Sequence, residues 1–302
     1  MIDRKDVVVA ERRMRGLVRR TPVIEARLLG LPLLLKLELL QHTGSFKPRG
    51  AVNRLLSADV PDVGVIAASG GNAGLGVAYA ARALGSPAEI FVPESTPEVK
   101  ISRLRELGAE VRITGAFYGD AAAACEVRAA ESGALHVHAY DQPEVAAGNG
   151  TVGLELAEHR PDTVLVAVGG GGLAAGIAAA LEGHAKVVAV EPVASQALHA
   201  ALAAGRPVDV SVGGVAADSL GAPRVGEIAY AVAVRTGMGS VVVPDEAITA
   251  ARSLLWEELR LVAEPGGATA LAALVCGAYK PDADERVAVV VCGGNTDPAT
   301  VA

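Results

Sequence analysis

The sequence predicts an α/β fold of two doubly wound, parallel-sheet domains, and three observations carry that expectation. Short β-branched runs alternate with longer helical patterns along the whole chain, the rhythm of strands joined by helical crossovers. Strand-to-helix junctions fall on glycine loops, Ser69-Gly70-Gly71-Asn72 and Gly169-Gly170-Gly171-Gly172 among them. The stretch that mimics a membrane span, residues 163–181 without a charge, opens β-branched, passes four glycines and ends Ala-rich between Asp162 and Glu182. Length alone would make it a transmembrane candidate, but its composition reads as strand, loop and helix. In sheets of this kind a ligand binds in the crevice where strand order switches.

The elements follow in order. LLLKLEL (33–39) is a strand with Lys36 and Glu38 on one face. SFKPRGAVNRLL is a helix with Ser45 as its N-cap and Pro48 in its first turn. VGVIAAS (63–69) is a strand, NAGLGVAYAARALG a helix stopped by Gly85, and AEIFVP (88–93) a strand. PEVKISRLRELG (97–108) is an amphipathic helix closed by Gly108, and AEVRIT is the next strand. A helix near 119–132 and the strand ALHVHAY (134–140) end that region. After DQP (141–143) come a helix over 144–159, a strand over 163–168, the glycine loop, a helix over 173–182 and a strand over 186–191. The connection SVGGVAADSLGA (211–222) leads to a later helix. The strand SVVVP, the helices DEAITAARSLLWEELR and GGATALAALVCG, and the strand RVAVVVC complete the chain.

Composition removes several function classes. The 302 residues are 51% hydrophobic and only 3% aromatic, with a net charge of −7. No basic cluster marks a nucleic-acid face, and no aromatic platform could stack single-stranded bases. The opening MIDRKDVVVAERRMRGLVRR lacks the apolar core of a signal peptide, and no membrane partner is expected. Cys125, Cys276 and Cys292 are too far apart for a CxxC pair or a disulfide framework, which suits a reducing cytoplasm.

Five segments are candidates for the chemistry. In Thr43-Gly44-Ser45-Phe46-Lys47-Pro48-Arg49-Gly50-Ala51, Lys47 stands in the first turn of a helix. The positive end of the helix dipole disfavours its ammonium form there, and a lysine with a depressed pKa is what Schiff-base chemistry needs. A solvated lysine at a helix start is the commoner meaning of that residue type alone. The loop Ser69-Gly70-Gly71-Asn72-Ala73 opens a helix, where unencumbered N–H groups bind a carboxylate or phosphate. Four consecutive glycines, Gly169, Gly170, Gly171 and Gly172, give up too much backbone entropy to serve a turn alone and point to a phosphate cradle. The loops Glu264-Pro265-Gly266-Gly267 and Cys292-Gly293-Gly294-Asn295 lie before a helix and after a strand. Cys292 by itself reads as an inert buried thiol. His136 and His138, on one face of a strand, have no third ligand nearby and read as packing. A rival class is a nicotinamide-dependent oxidoreductase: Gly170, Gly172 and Gly176 follow a strand, and Glu191 ends the next about twenty residues on. Their spacing departs from GxGxxG, and that class leaves the lysine segment unexplained.

Together TGSFKPRGA, SGGNAG, VGGGGLAAG, VEP, AEPGGA and CGGN resemble, in order and spacing, the fold type II pyridoxal-phosphate enzymes of the tryptophan-synthase-β-like superfamily, closest to the serine/threonine dehydratase and serine racemase branch. The resemblance runs from RRTPV (19–23) to CGGNTDP (292–298). It implies pyridoxal 5′-phosphate (PLP) between a large domain of residues 1–48 plus 141–302 and a small substrate-clamping domain of residues 49–140. It implies Lys47 as the Schiff-base lysine, Phe46 against the cofactor ring, glycines 169–172 on the phosphate, Asn72 on the 3′ oxygen, Glu264 beside the cofactor and Cys292 at the pyridine nitrogen. Ser69, Gly70, Gly71, Asn72 and Ala73 would hold the substrate carboxylate. Glu191, with backbone carbonyls near Ser195, Leu220 and Ala222, resembles a cation site. The implied activity is elimination of water from a small β-hydroxy amino acid, releasing ammonia and a 2-oxo acid, in a homodimer. Dehydration of 3-hydroxyaspartate, racemisation, β-replacement and a non-catalytic PLP carrier are the alternatives.

Departures from the family pattern sharpen this. The racemase's proton-carrying serine is replaced by Gly70, which disfavours racemisation, and the histidine after the loop asparagine is Ala73. An acidic cation ligand is replaced by Ala197, which favours a monovalent ion, potassium or sodium, over a divalent one.

Overall fold

A computed structural model describes residues 1–301. α1 (Arg4–Arg13) leads to the hairpin β1 (Val23–Leu28) and β2 (Leu31–Leu37), and α2 (Lys47–Leu56) follows. A smaller unit comes next: β3 (Val65–Ala68), α3 (Asn72–Leu84), β4 (Ala88–Val92), α4 (Glu98–Glu106), β5 (Glu110–Ile113), α5 (Tyr118–Ser132) and β6 (Leu135–His136). The chain then returns through α6 (Pro143–Ala157), β7 (Thr163–Ala167), α7 (Gly172–Leu181), β8 (Lys186–Pro192), α8 (Ala197–Ala204) and α9 (Ala217–Leu220). It ends with α10 (Glu227–Thr236), β9 (Gly239–Val243), α11 (Asp245–Leu259), α12 (Pro265–Val275) and β10 (Val287–Val291). The large sheet has the order β1-β2-β10-β7-β8-β9 and the small sheet β5-β4-β3-β6.

Every pairing is parallel except β1 with β2, so the large sheet is mixed at one edge. β7 and β10 are buried at every position, as strands covered by helices on both faces must be. α7 is buried along its whole length, because small side chains let it lie against α6 almost backbone to backbone. A Cβ on Gly176 would come within 2.2 Å of the Ala146 carbonyl oxygen. That contact explains the Ala/Gly-rich composition that mimicked a membrane span. Among the described residues no helix is long and apolar enough to cross a membrane.

Four local expectations need correction. β1, α1 and α8 were not anticipated from the sequence. The strand expected over 134–140 shrinks to Leu135–His136. It ends there because His138 Nδ1 accepts the N–H groups of Tyr140 and Asp141, turning the chain toward α6. Ser45 is not a helix cap: it is extended, bridged to Gly293, with Phe46 in the cap position. The strand expected over 33–39 ends at Leu37, so Glu38 stands in the turn after it, and both Lys36 and Glu38 are wholly buried.

Candidate active site

The two sheets carry the loops that face each other across one cleft of about 370 Å3, which narrows inward to a crevice of about 50 Å3. Lys47, Ser69, Gly70, Gly71, Asn72, Ala73, Tyr140 and Gly170 line the cleft. Phe46, Lys47, Asn72, Asn149, the glycines 169–172, Glu264 and Cys292 line the crevice.

Backbone stitching sets the lysine. Phe46 N–H donates to the Cys292 carbonyl at 3.2 Å and Gly294 N–H to the Gly44 carbonyl at 2.9 Å. The segment before α2 is thus tied to the end of β10. Lys47 Nζ donates to the Ala139 carbonyl at 2.7 Å and lies 5.1 Å from the Phe46 ring centre. Burial lowers its pKa to about 8, against the opposing pull of Cys292 and Glu264. An amine that is largely deprotonated at mildly alkaline pH is a nucleophile.

The glycine loop runs from the end of β7 into α7, with Gly171 at φ +89°. No backbone acceptor among the described residues meets the N–H groups of Gly171, Gly172 and Leu173, which line the crevice. Free first-turn donors of this kind attract an anion. On the facing wall, the Asn72 amide donates to Glu264 Oε1 at 2.6 Å and accepts from Asn295 at 2.7 Å. Asn295 in turn accepts from Arg103 of α4 at 2.8 Å. Burial raises the Glu264 carboxyl to about 7. Cys292 Sγ points to the Gly266 carbonyl at 3.4 Å, and burial pushes its thiol well above the ordinary range, so it stays protonated.

Sequence reasoning missed Tyr140, Asn149, Ser219, Lys100 and Asp218, which also line the cleft or crevice. None stands in a distinctive local pattern. Asn149 is the informative one. Its Oδ1 accepts Gly50 N–H at 3.0 Å, while its buried Nδ2 has no partner. An orphaned buried amide donor is unfavourable until something accepts from it.

Several of the expected cation ligands have protein partners. Glu191 spends both carboxylate oxygens on the start of α8, accepting from Leu198 and His199 N–H at 2.8 Å each. Ser195 Oγ donates to the Gly213 carbonyl at 3.1 Å, and the Leu220 carbonyl accepts from Ala222 N–H at 3.0 Å. Burial raises Glu191 to about 7 despite those hydrogen bonds. No group of three or more His, Cys, Asp or Glu side chains that could hold a metal ion occurs among the described residues. His136 and His138 lie edge to face, 6.4 Å between ring centres.

Behind Lys47 lies a buried charge cluster that joins β2, α2 and α6. Arg49 donates to Glu38 Oε1 and Oε2 at 2.8 Å each and to Glu155 Oε1 at 2.7 Å. Lys36 donates to Glu155 and to the Thr21 carbonyl. Burial alone would raise the Glu38 carboxyl, but Arg49 and Lys36 together hold it below its ordinary value.

A buried amine, a helix start with free N–H groups and an orphaned amide donor converge on one crevice. That donor set fits a planar aldehyde carrying a phosphate, which defines a lysine-anchored, PLP-type site. The comparison with known proteins agrees: the chain belongs to the family described as pyridoxal-phosphate dependent enzyme, which matches residues 14–293. It is 40% identical over 304 residues to the L-threonine ammonia-lyase of Geobacter sulfurreducens, covering 97% of this chain and 75% of that one. Its fold matches the crystal structure of a T.th. threonine deaminase with a TM-score of 0.91 at 37% identity, over 98% of this chain and 99% of that one. It also matches maize serine racemase with a TM-score of 0.93 at 30% identity, over 99% and 95% of the two chains. The nicotinamide oxidoreductase alternative is thereby overturned.

Proposed function

We propose that the chain is a PLP-dependent ammonia-lyase that converts a small β-hydroxy amino acid, serine or threonine, to a 2-oxo acid and ammonia. The observation that carries this is Lys47: a buried amine with its pKa lowered to about 8, lining the same cleft and crevice as the glycine loop 169–172 and the Ser69–Ala73 loop at the start of α3. Relatives named for threonine ammonia-lyase activity support it.

Lys47 would hold the cofactor at its aldehyde and Phe46 would pack beside the ring. Glycines 169–172 would hold the phosphate, Asn72 the 3′ oxygen and Cys292 the pyridine nitrogen, with Glu264 beside them and Asn149 offering its free donor. Bound there, the cofactor supplies an electron sink for the substrate's α-carbon. Lys47 Nζ, once free, removes the α proton as general base. Ser69 and the backbone of Gly70, Gly71, Asn72 and Ala73 bind the α-carboxylate at the start of α3, where the helix dipole favours an anion. The neutral Cys292 thiol places no negative charge beside the ring. The test is release of pyruvate from L-serine and of 2-oxobutanoate from L-threonine by the PLP-loaded protein. No oxo acid from either would contradict the assignment.

The depressed Lys47 pKa makes a pH prediction. Only the uncharged amine captures an aldehyde, so the rate at which apoprotein takes up PLP should rise with pH until about 8 and level off above it. Stopped-flow absorbance reads that rate, and a profile still climbing to pH 10 would place the amine at its ordinary pKa.

Gly70 bears on racemisation. A Cβ there would lie 2.8 Å from Thr96 Cγ2, so serine at this position crowds Thr96. Gly70→Ser alone should therefore lose elimination without gaining racemisation, whereas Gly70→Ser with Thr96→Ala should raise racemisation relative to elimination. Chiral chromatography of residual serine decides it: racemisation by the single variant with elimination intact would show that Thr96 is no obstacle.

The same proposal includes a homodimer, checked by light scattering, and residence in the cytoplasm, consistent with three unpaired cysteines. A potassium or sodium ion near Glu191, Ser195, Leu220 and Ala222 rests on the family resemblance. A rise in unfolding temperature when either ion replaces tetramethylammonium would support it.

A further inference from the structure

We propose that Lys100 and Asp218 set the charge selectivity of the substrate cleft. Paired, they leave its outer wall electrically neutral, which admits uncharged β-substituents such as hydroxyl and turns away a carboxylate. This rests on the lyase function proposed above, and it assigns to two residues the preference for an uncharged β-substituent over a carboxylate.

Lys100 stands on α4, beside the small sheet, and Asp218 on α9, in the connection that follows the large sheet's β8. Lys100 Nζ donates to both Asp218 carboxylate oxygens, at 2.6 and 2.7 Å, so the pair spans the cleft from one side to the other. Among the described residues lining the cleft, these two and Lys47 are the only ones with a formal charge. Lys47 belongs to the inner end, where Glu264 lies. The outer cleft therefore holds one cation and one anion, each engaged with the other.

A substrate with a second carboxylate would have to compete with Asp218 for Lys100 while facing the Asp218 charge. Like-charge juxtaposition of this kind is a common device for rejecting a wrong partner. A hydroxyl on the β-carbon meets neither penalty. Side-chain exposures of 30% for Lys100 and 69% for Asp218 mean that solvent screens the pair, so the selectivity is of the modest size typical of exposed ion pairs.

The test uses the PLP-loaded protein and two probes, L-aspartate and L-serine, with affinities read from the visible absorbance of the bound cofactor. Asp218→Asn should raise the affinity for L-aspartate relative to L-serine about five-fold, because Lys100 is freed. Lys100→Met should lower the same ratio by a similar factor, because Asp218 is left alone, and the double variant should return near the wild-type ratio. Both residues are surface-accessible, so folding is not at stake. Ratios that stay put in both single variants overturn the proposal. Oxo-acid release from L-serine is measured on the same wild-type preparation. Unmoved ratios in an enzyme that releases oxo acid reject the charge wall alone, and moved ratios in one that releases none uphold the wall while rejecting the lyase.

Discussion

Lys47→Ala is expected to lower oxo-acid release from L-serine by a factor of about 1,000 or more, because one side chain serves both as covalent anchor and as general base. The loss should fall on kcat, with the fold intact. Lys47 makes one hydrogen bond, to the Ala139 carbonyl, and the segment before it is held by backbone bonds to Cys292 and Gly294 that alanine leaves in place. Removing a cation from a buried crevice also relieves the desolvation that lowers its pKa, so apoprotein stability should be unchanged or slightly higher at neutral pH. Circular dichroism and steady-state kinetics check both halves. Deamination retained within ten-fold of wild type would remove Lys47 from the chemistry.

The largest effect on stability is expected at Arg49. It is 1% exposed and is the hub of the cluster, bridging Glu38 on the chain after β2 with Glu155 on α6. Arg49→Ala strands two buried carboxylates with only Lys36 between them, an arrangement that destabilises by about 3–5 kcal/mol. Arg49→Lys keeps the charge but loses the planar fork that reaches both partners, so it should fall between alanine and wild type. Chemical denaturation of the apoproteins measures this, and a loss under about 1 kcal/mol for alanine would show the cluster to be dispensable. Because Glu38 is held below its ordinary pKa of 4.5, its share of the stability is complete at neutral pH and fades only as the pH falls through that lowered value. Arg49 sits two residues after Lys47 on the same helix, so a shift of α2 against α6 would displace both the lysine and Asn149.

The sequence made the architecture legible wherever a single periodicity ruled. β7, β10 and the centre of β8 are continuous apolar runs suited to the inside of a helix-covered sheet, α7 is an apolar helix packed within the core, and the expected and observed bounds of all four differ by a residue or so. β1 escaped notice because VIEARL mixes charged and apolar residues at an edge, where half-burial blurs the alternation. The expected strand over 134–140 failed because a histidine side chain, not backbone pairing, takes the N–H groups of Tyr140 and Asp141.

In the site, glycine loops are visible in a sequence because few other residues tolerate their backbone, and Lys47 was visible from its neighbours. Asn149, Lys100 and Asp218 lie in ordinary helical contexts and enter the cleft only through the packing of elements distant in the chain. The charge cluster was hidden for the same reason. Lys36 and Glu38 alternate like residues of a half-wet strand, and only α2 and α6 folding over them makes them buried.

The most direct measurement is borohydride reduction of the PLP-loaded protein, followed by mass spectrometry of its peptides. With Lys47 as anchor, reduction bleaches the visible band and leaves one pyridoxyl increment, on the peptide containing Lys47, with the other five lysines of the chain unmodified. An increment on a different lysine, or no visible band after PLP is supplied, would contradict the site described here.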